Sequence, residues 1–246
     1  MVATLSSVTA LTDARDKNTY AVARLADGEC WMIENLRLDN TVSAATLAAG
    51  SQGIGAGFTK LPASEDTFGN TNTGNDLYSG LTSFTMPRIN TSNTNANLTA
   101  SHNASGYNSS WYSYGNYYSW PAAIASTANF TYTTVNTSIC PAGWHLPFRI
   151  NLGSFDYLNT LMGNGTYSEA MNKWLMFPNN FVLPGRGGNS RSVDGYYWGA
   201  ASMDQYGTYS LNASSSSYST GTFATARIIK YEPGSIRCVT SPLTSK

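Results

Sequence analysis

Apolar and polar residues alternate in short runs along most of this chain, and the first clear run opens a hairpin. Val8 to Thr12 leads into a polar turn, Asp13-Ala14-Arg15-Asp16-Lys17-Asn18. Thr19-Tyr20-Ala21-Val22-Ala23-Arg24-Leu25 then alternates as a strand. Asp27-Gly28 is a hairpin turn signal, and Cys30-Trp31-Met32-Ile33 forms a bulky apolar return strand. Residues 41–139 lose this pattern. They are rich in Ser, Thr, Asn and Gly and read as a long irregular insertion laid over the domain, although a structureless stretch of that length is uncommon inside a compact fold. Within it, the run Tyr114-Gly115-Asn116-Tyr117-Tyr118-Ser119-Trp120-Pro121-Ala122-Ala123 is dense enough in aromatics to be core.

The periodicity changes again after residue 138. Cys140-Pro141-Ala142-Gly143-Trp144-His145-Leu146-Pro147 is rich in turn residues, and Leu152, Phe155, Leu158, Leu161 and Met162 then fall at helical spacing. A second short helix is expected over Tyr167 to Leu175. From Phe181 to Val239 short β segments return, broken by Gly: Phe181-Val182-Leu183-Pro184-Gly185, Gly195-Tyr196-Tyr197-Trp198-Gly199, Tyr209-Ser210-Leu211, Phe223 to Ile229, and Ile236-Arg237-Cys238-Val239. Hairpin, insertion, helix and meander in that order predict a single α+β domain over 1–246 whose N- and C-terminal strands pair.

Composition narrows the partners. The chain has 246 residues, with 14 basic and 14 acidic side chains that cancel, so neither nucleic acid nor an anionic membrane is an obvious electrostatic partner. Charged residues make up 11% of the chain, against about 25% in an ordinary soluble domain. Ser, Thr, Asn, Gly and 16 Tyr fill the surface instead. That is the chemistry of binding surfaces, because Tyr, Ser and Asn make contacts with little entropy loss per side chain. An extracellular protein that merely avoids charge has the same composition, and the two readings stand side by side. No run of 18 apolar residues occurs, so no transmembrane segment is expected. Met1-Val2-Ala3-Thr4 has neither a basic n-region nor an apolar h-region, as in a mature or trimmed ectodomain with an added Met. Between residues 90 and 164 seven N-x-[ST] sequons occur, at Asn90, Asn97, Asn103, Asn108, Asn129, Asn136 and Asn164, and in so Asn-rich a chain chance explains most of them.

Five blocks carry a resemblance. Asp13-Ala14-Arg15-Asp16 with Thr19-Tyr20 and Gly28-Glu29-Cys30-Trp31-Met32-Ile33-Glu34-Asn35-Leu36 resembles the opening of the Fibrobacter succinogenes major paralogous domain family. Tyr114 to Trp120, Cys140 to Pro147, Gly195-Tyr196-Tyr197-Trp198 and Ser235-Ile236-Arg237-Cys238-Val239 are similar to later blocks of the same family, in the same order. The resemblance implies a C-type-lectin-like fold of the formylglycine-generating-enzyme branch. Proteins of this type also occur in bacteria as variable proteins of diversity-generating retroelements, in which adenine-directed mutagenesis rewrites codons near the C-terminus. The stretch from Gly187 to Ser217, inside a variable region bounded at 187–231, looks like such a segment. Its Asn, Ser, Asp, Tyr and Gly residues are interspersed among framework residues Trp198, Leu211 and Arg237.

The ligand-binding residues this implies are Asn189, Ser190, Arg191, Asp194, Tyr196, Asp204, Tyr206, Tyr209, Asn212, Ser214, Ser216 and Tyr218. The partner would be a protein or glycan on another cell or molecule, met outside the cell or at its surface. A fixed-specificity carbohydrate-binding or adhesion module of the same fold is the alternative, and a plain solvent-facing β surface would have the same residues.

The resemblance also brings Cys140 and Cys238 together as a disulfide, leaving Cys30 as the odd one of three Cys. Two free buried thiols remain the other possibility for the pair. Cys30 is then either a buried apolar thiol or the partner of a cysteine elsewhere. No enzyme is expected. A sulfatase-modifying oxidase would need a reactive Cys pair, and only His102 and His145 are available to any Ser-His-Asp arrangement. Gly185-Arg186-Gly187-Gly188 lacks the Lys-Ser/Thr of a phosphate loop. Calcium-dependent sugar binding in lectins of this fold uses an acidic-Pro-Asn tripeptide and a Trp-Asn-Asp run; Glu232-Pro233-Gly234 is the nearest approach and lacks the Asn. Asp66, Asn70, Asn72 and Asp76 supply hard oxygens, but their spacing fits no EF-hand, so no cofactor is expected beyond a possible structural Ca²⁺. Trp31, Trp144 and Trp198 are expected in the core.

Overall fold

The computed structural model describes residues 9–32, 34–64, 86–91, 115–149, 154–161, 194–214, 223–232 and 234–240. Strands β1 (Thr9–Thr12), β2 (Thr19–Arg24) and β3 (Cys30–Met32) form the N-terminal meander. Helix α1 (Ala44–Gly50), β4 (Ser51–Gly53), β5 (Ile89–Asn90), β6 (Tyr117–Tyr118), helix α2 (Trp120–Ala123) and β7 (Ser138–Pro141) follow. Helix α3 (Phe155–Leu161) precedes β8 (Asp194–Ser202), β9 (Gly207–Ser214), β10 (Phe223–Ile229) and β11 (Val239–Thr240). The strands make a four-stranded sheet β1-β2-β3-β11, a three-stranded sheet β10-β9-β8, and the pairs β4-β7 and β5-β6. Helix and sheet are mixed, and the terminal strands pair as expected: Val239 lies opposite Trp31.

The turns form where the sequence places them. Gly28 sits at φ 83°, a left-handed conformation that side chains avoid, and closes β2 onto β3 with its N–H bonded to the Leu25 carbonyl. The residue before it is not mere turn filler. The buried Asp27 carboxylate accepts from the Trp31 indole N–H at 3.0 Å, so the largest side chain of β3 enters the core with its donor satisfied.

Segment 234–240 is the spine joining these sheets. Gly234 bridges Tyr118, Ser235 bridges Tyr197, the Ile236 carbonyl accepts from Leu36, and Val239 bridges His145. Gly234 is required by close approach: a Cβ there would stand 2.6 Å from the Trp198 ring. The one tripeptide that approaches a lectin calcium motif thus ends in a residue occupied with packing. Cys140 on β7 and Cys238 beside β11 are disulfide-bonded, with Cα atoms 5.8 Å apart, and both are fully buried.

Two expectations change. The described residues of 41–139 do not overlie the core; they build part of it. Leu47, Phe58, Leu61, Ile89, Tyr118, Trp120, Ile124 and Ile139 are all buried in the same cluster as Met32, Trp198 and Cys238. The reason is bonding at long range. The Trp120 indole donates to the Gly199 carbonyl at 2.9 Å, and the Trp198 indole donates to the Tyr118 carbonyl at 2.6 Å, so each ring locks the other's segment. Trp144, in turn, is only half-buried. It follows the surface turn at Gly143 and packs against the core from its edge, while Trp31 and Trp198 are fully enclosed.

Asp13 and Arg15 form a buried ion pair. The Arg15 guanidinium binds Asp13 through Nε at 2.9 Å and a terminal nitrogen at 2.6 Å, then reaches the Ser51 hydroxyl at 2.8 Å and the Ile139 carbonyl at 2.7 Å. What reads as a polar turn therefore pins the N-terminal hairpin to the β4-β7 pair.

A second layer holds Glu34, Asn35, Tyr197 and Arg237. Glu34 accepts from the Ala21 N–H at 2.5 Å, and the Arg237 Nε donates to the Asn35 side-chain oxygen at 2.8 Å. Burial raises the Glu34 carboxyl above its ordinary value, outweighing the Ala21 bond and the nearby Arg37 and Arg237 charges. A raised native value means that folding holds this proton. The resulting stability is complete below the usual carboxylate range and is lost as pH rises through the raised value. Wild type should therefore gain stability relative to Glu34→Gln as pH falls from 8 to 5. Urea midpoints of the two proteins at both pH values check this, and a gain in the opposite direction contradicts it.

Candidate functional site

The β8-β9-β10 sheet carries the segment whose composition marked it for binding, and its register divides that segment in two. Tyr197 lies opposite Leu211, and Trp198 lies opposite Ser210. All four are buried, which fixes this part of the hairpin to the core. Beyond them the ladder continues with Tyr196 opposite Asn212 and Asp194 opposite Ser214. Directly opposed residues of an antiparallel ladder have Cα atoms only about 4.5–5.5 Å apart. Four of the twelve expected ligand residues are thus brought together as two cross-strand pairs at the open end of the hairpin.

Asp204 and Tyr206 are not with them. They occupy the tip between β8 and β9, at the far end of a nine-residue strand, roughly 25 Å away at about 3.3 Å per residue. The tip is locked by its own bonds. One Asp204 carboxylate oxygen accepts from the N–H groups of Tyr206 at 2.7 Å and Gly207 at 2.6 Å. The buried Lys230 ammonium donates to the Asp204 carbonyl at 2.7 Å and to the Phe130 carbonyl at 2.6 Å. Asp204, expected to meet ligand, is therefore also the residue that shapes this turn, because a short carboxylate satisfies two adjacent backbone donors there.

Tyr209 lies between the two groups, half-buried, with the Arg149 guanidinium 4.0 Å above its ring. Arg149 is exposed and comes from the end of the Cys140–Pro147 block, where the Ala200 N–H bonds the Pro147 carbonyl at 2.8 Å and Phe148 stacks on His145 at 4.3 Å. A stacked guanidinium keeps its N–H edge in plane for a carboxylate or carbonyl acceptor. Sequence reading missed Arg149; its position directly after a rigid framework turn was the available signal. His145 serves that framework, with Nδ1 2.8 Å from the Leu146 carbonyl.

Asn189, Ser190, Arg191, Ser216 and Tyr218 lie outside the described residues, as do His102, the acidic and amide residues at 66, 70, 72 and 76, and the helix expected over 167–175. Among the described residues no group of three His, Cys, Asp or Glu could hold a metal ion, and no helix is long and apolar enough to cross a membrane.

Searches of protein-family models, curated proteins and solved structures find nothing that matches this chain. The site therefore stands on its own geometry. The hairpin is braced at Tyr197, Trp198, Ser210 and Leu211, has Asp194, Tyr196, Asn212 and Ser214 in the adjoining register rows, and carries a stacked Arg-Tyr pair at mid-length. Cys30, the remaining thiol, sits on β3 with its value raised by burial, the opposite of what a nucleophilic thiolate needs.

Proposed function

We propose that this chain is a non-enzymatic ligand-binding module with a C-type-lectin-like fold, displayed outside the cell or on its surface, whose open hairpin end binds a macromolecular or cell-surface ligand. The observation that carries this reading is the division along β8 and β9. Tyr197, Trp198, Ser210 and Leu211 are buried and hold the fold, while Asp194, Tyr196, Asn212 and Ser214 occupy the adjoining register rows. Such an arrangement permits rewriting of one set without disturbing the other. Support for an oxidising compartment comes from the Cys140–Cys238 disulfide, since such bonds persist mainly outside the cytosol. Arg149 stacked on Tyr209, at mid-length of β9, is a further fixed cation, suited to an acidic or carbonyl-rich patch on a partner.

The resemblance extends the proposal to a diversified face: a variable protein of a diversity-generating retroelement. The genomic neighbourhood tests this directly. It should hold a reverse transcriptase and a near-copy of the segment encoding 187–231 that differs at adenines. A locus with neither element, and with this segment invariant among related strains, would overturn diversification while leaving a fixed-specificity binding module.

A further inference from the structure

A second feature lies at the other end of the hairpin. Tyr132 is 82% exposed, the most exposed large hydrophobic residue among the described residues, and its backbone is left-handed at φ 49°. For a bulky residue that conformation is strained, and Gly or Asn would adopt it more easily. It persists because both flanks are tied down. The Phe130 carbonyl accepts from the Lys230 ammonium at 2.6 Å and the Ser202 hydroxyl at 2.7 Å. The Thr133 carbonyl accepts from the Ser202 N–H at 2.8 Å, and Val135 donates to the Ala200 carbonyl at 2.9 Å. Segment 130–135 is thus stitched along the end of β8, and Tyr132 is the point at which the chain is turned outward. A surface aromatic that gains nothing from burial, held in a costly conformation by an over-determined backbone, has the signature of a contact residue.

The surroundings identify the ligand chemistry. Asn129, Thr131, Thr133, Thr134 and Asn136, its neighbours along the chain, are all exposed. From residue 89 to 148 the sequence contains no Asp, Glu, Lys or Arg; of the charged groups that share bonding partners with the loop, Lys230 is buried against backbone carbonyls and Asp204 turns a carboxylate oxygen onto the Tyr206 and Gly207 N–H groups. A flat amphipathic ring among neutral hydroxyls and amides matches a ligand that is itself neutral and hydroxyl-rich, with C–H faces to lie on the ring and O–H groups to bond its neighbours. We propose that the Tyr132 loop is a metal-independent subsite for a neutral saccharide, separate from the open-end face.

The probes are immobilised neutral oligosaccharides (gluco-, galacto-, manno- and N-acetylhexosamine series) presented to the full chain in excess chelator, with an acidic glycan and an acidic peptide as controls. At least one neutral glycan should bind. Tyr132→Ala should weaken that binding at least tenfold, and Tyr132→Phe and Tyr132→Trp should keep it within about threefold. Tyr132→Asn and Tyr132→Gly should abolish binding while melting no lower than the parent, because they relieve the strain. A purely structural tyrosine would give the reverse. Changes at Asp194, Tyr196, Asn212 and Ser214 should leave glycan binding intact, so failure of the hairpin reading and failure of this one are distinguishable. The subsite is overturned if no neutral glycan binds, if binding needs a divalent cation, if only the acidic probes bind, if Tyr132→Ala binds as tightly as the parent, or if Tyr132→Asn melts lower.

Discussion

Replacing both Cys140 and Cys238 with Ala should lower stability by about 4–5 kcal/mol, a large share of the total for a domain of this size. The bond closes a loop with a sequence separation of 98 residues, and the chain-entropy model assigns a cost of that order to freeing it in the unfolded state. The native state also loses its tie between β7 and the strand that carries the C-terminus onto β3. Both sulfurs are buried, so reductant reaches them only through opening of the core. The expected result is therefore twofold: a large loss in urea stability for the double variant, and slow reduction of the native protein that accelerates sharply in sub-denaturing urea. Wild-type stability in the double variant, or rapid reduction without denaturant, contradicts the structural role.

Trp198→Ala should cost about 3–5 kcal/mol, the range for a fully buried large aromatic. The ring fills space that Gly234 vacates, and its N–H bonds the Tyr118 carbonyl, so truncation leaves a cavity and removes one of that carbonyl's two donors, the Gly234 N–H being the other. Trp144→Ala, at the half-buried edge, should cost clearly less, about 1–2 kcal/mol in proportion to the smaller area it covers. Denaturation midpoints of the two variants side by side make the comparison. Equal losses would mean that burial does not explain these residues.

Much of the scaffold was legible where signals are local. The Asp27-Gly28 turn, the alternation of Thr19 to Leu25 and the helical spacing from Leu152 to Met162 each depend on neighbours in sequence, and within the described residues the turn, β2 and α3 (Phe155–Leu161) formed. The Cys140–Cys238 bond followed from resemblance rather than pattern. The described part of 41–139 was misread because its elements are too brief to show a period: β5 and β6 have two residues each and α2 has four. Helix α1 did carry a signal, since the Ser43 hydroxyl caps Thr46 ahead of an Ala-rich run. The Asp13–Arg15 pair looked like an ordinary polar turn because its other partners, Ser51 and Ile139, are 36 and 124 residues away. At the site, the residue types were readable but their grouping was not. Only the register separates Asp194, Tyr196, Asn212 and Ser214 from the tip residues Asp204 and Tyr206, and only the fold brings Arg149 onto Tyr209.

The division of labour along β8 and β9 is tested most directly by randomising two sets of positions and measuring the fraction of displayed proteins that resist protease. One library varies Asp194, Tyr196, Asn212 and Ser214; the other varies Tyr197, Trp198 and Leu211. If the open end is the rewritable face, changes there should behave as surface changes, which usually move stability by less than about 0.5 kcal/mol, so most members of the first library should be as resistant as the parent. The second library should be almost entirely degraded. Loss of resistance in the first library to the same extent as in the second would make the open end part of the core, and it would contradict the assignment of that end as a rewritable binding face.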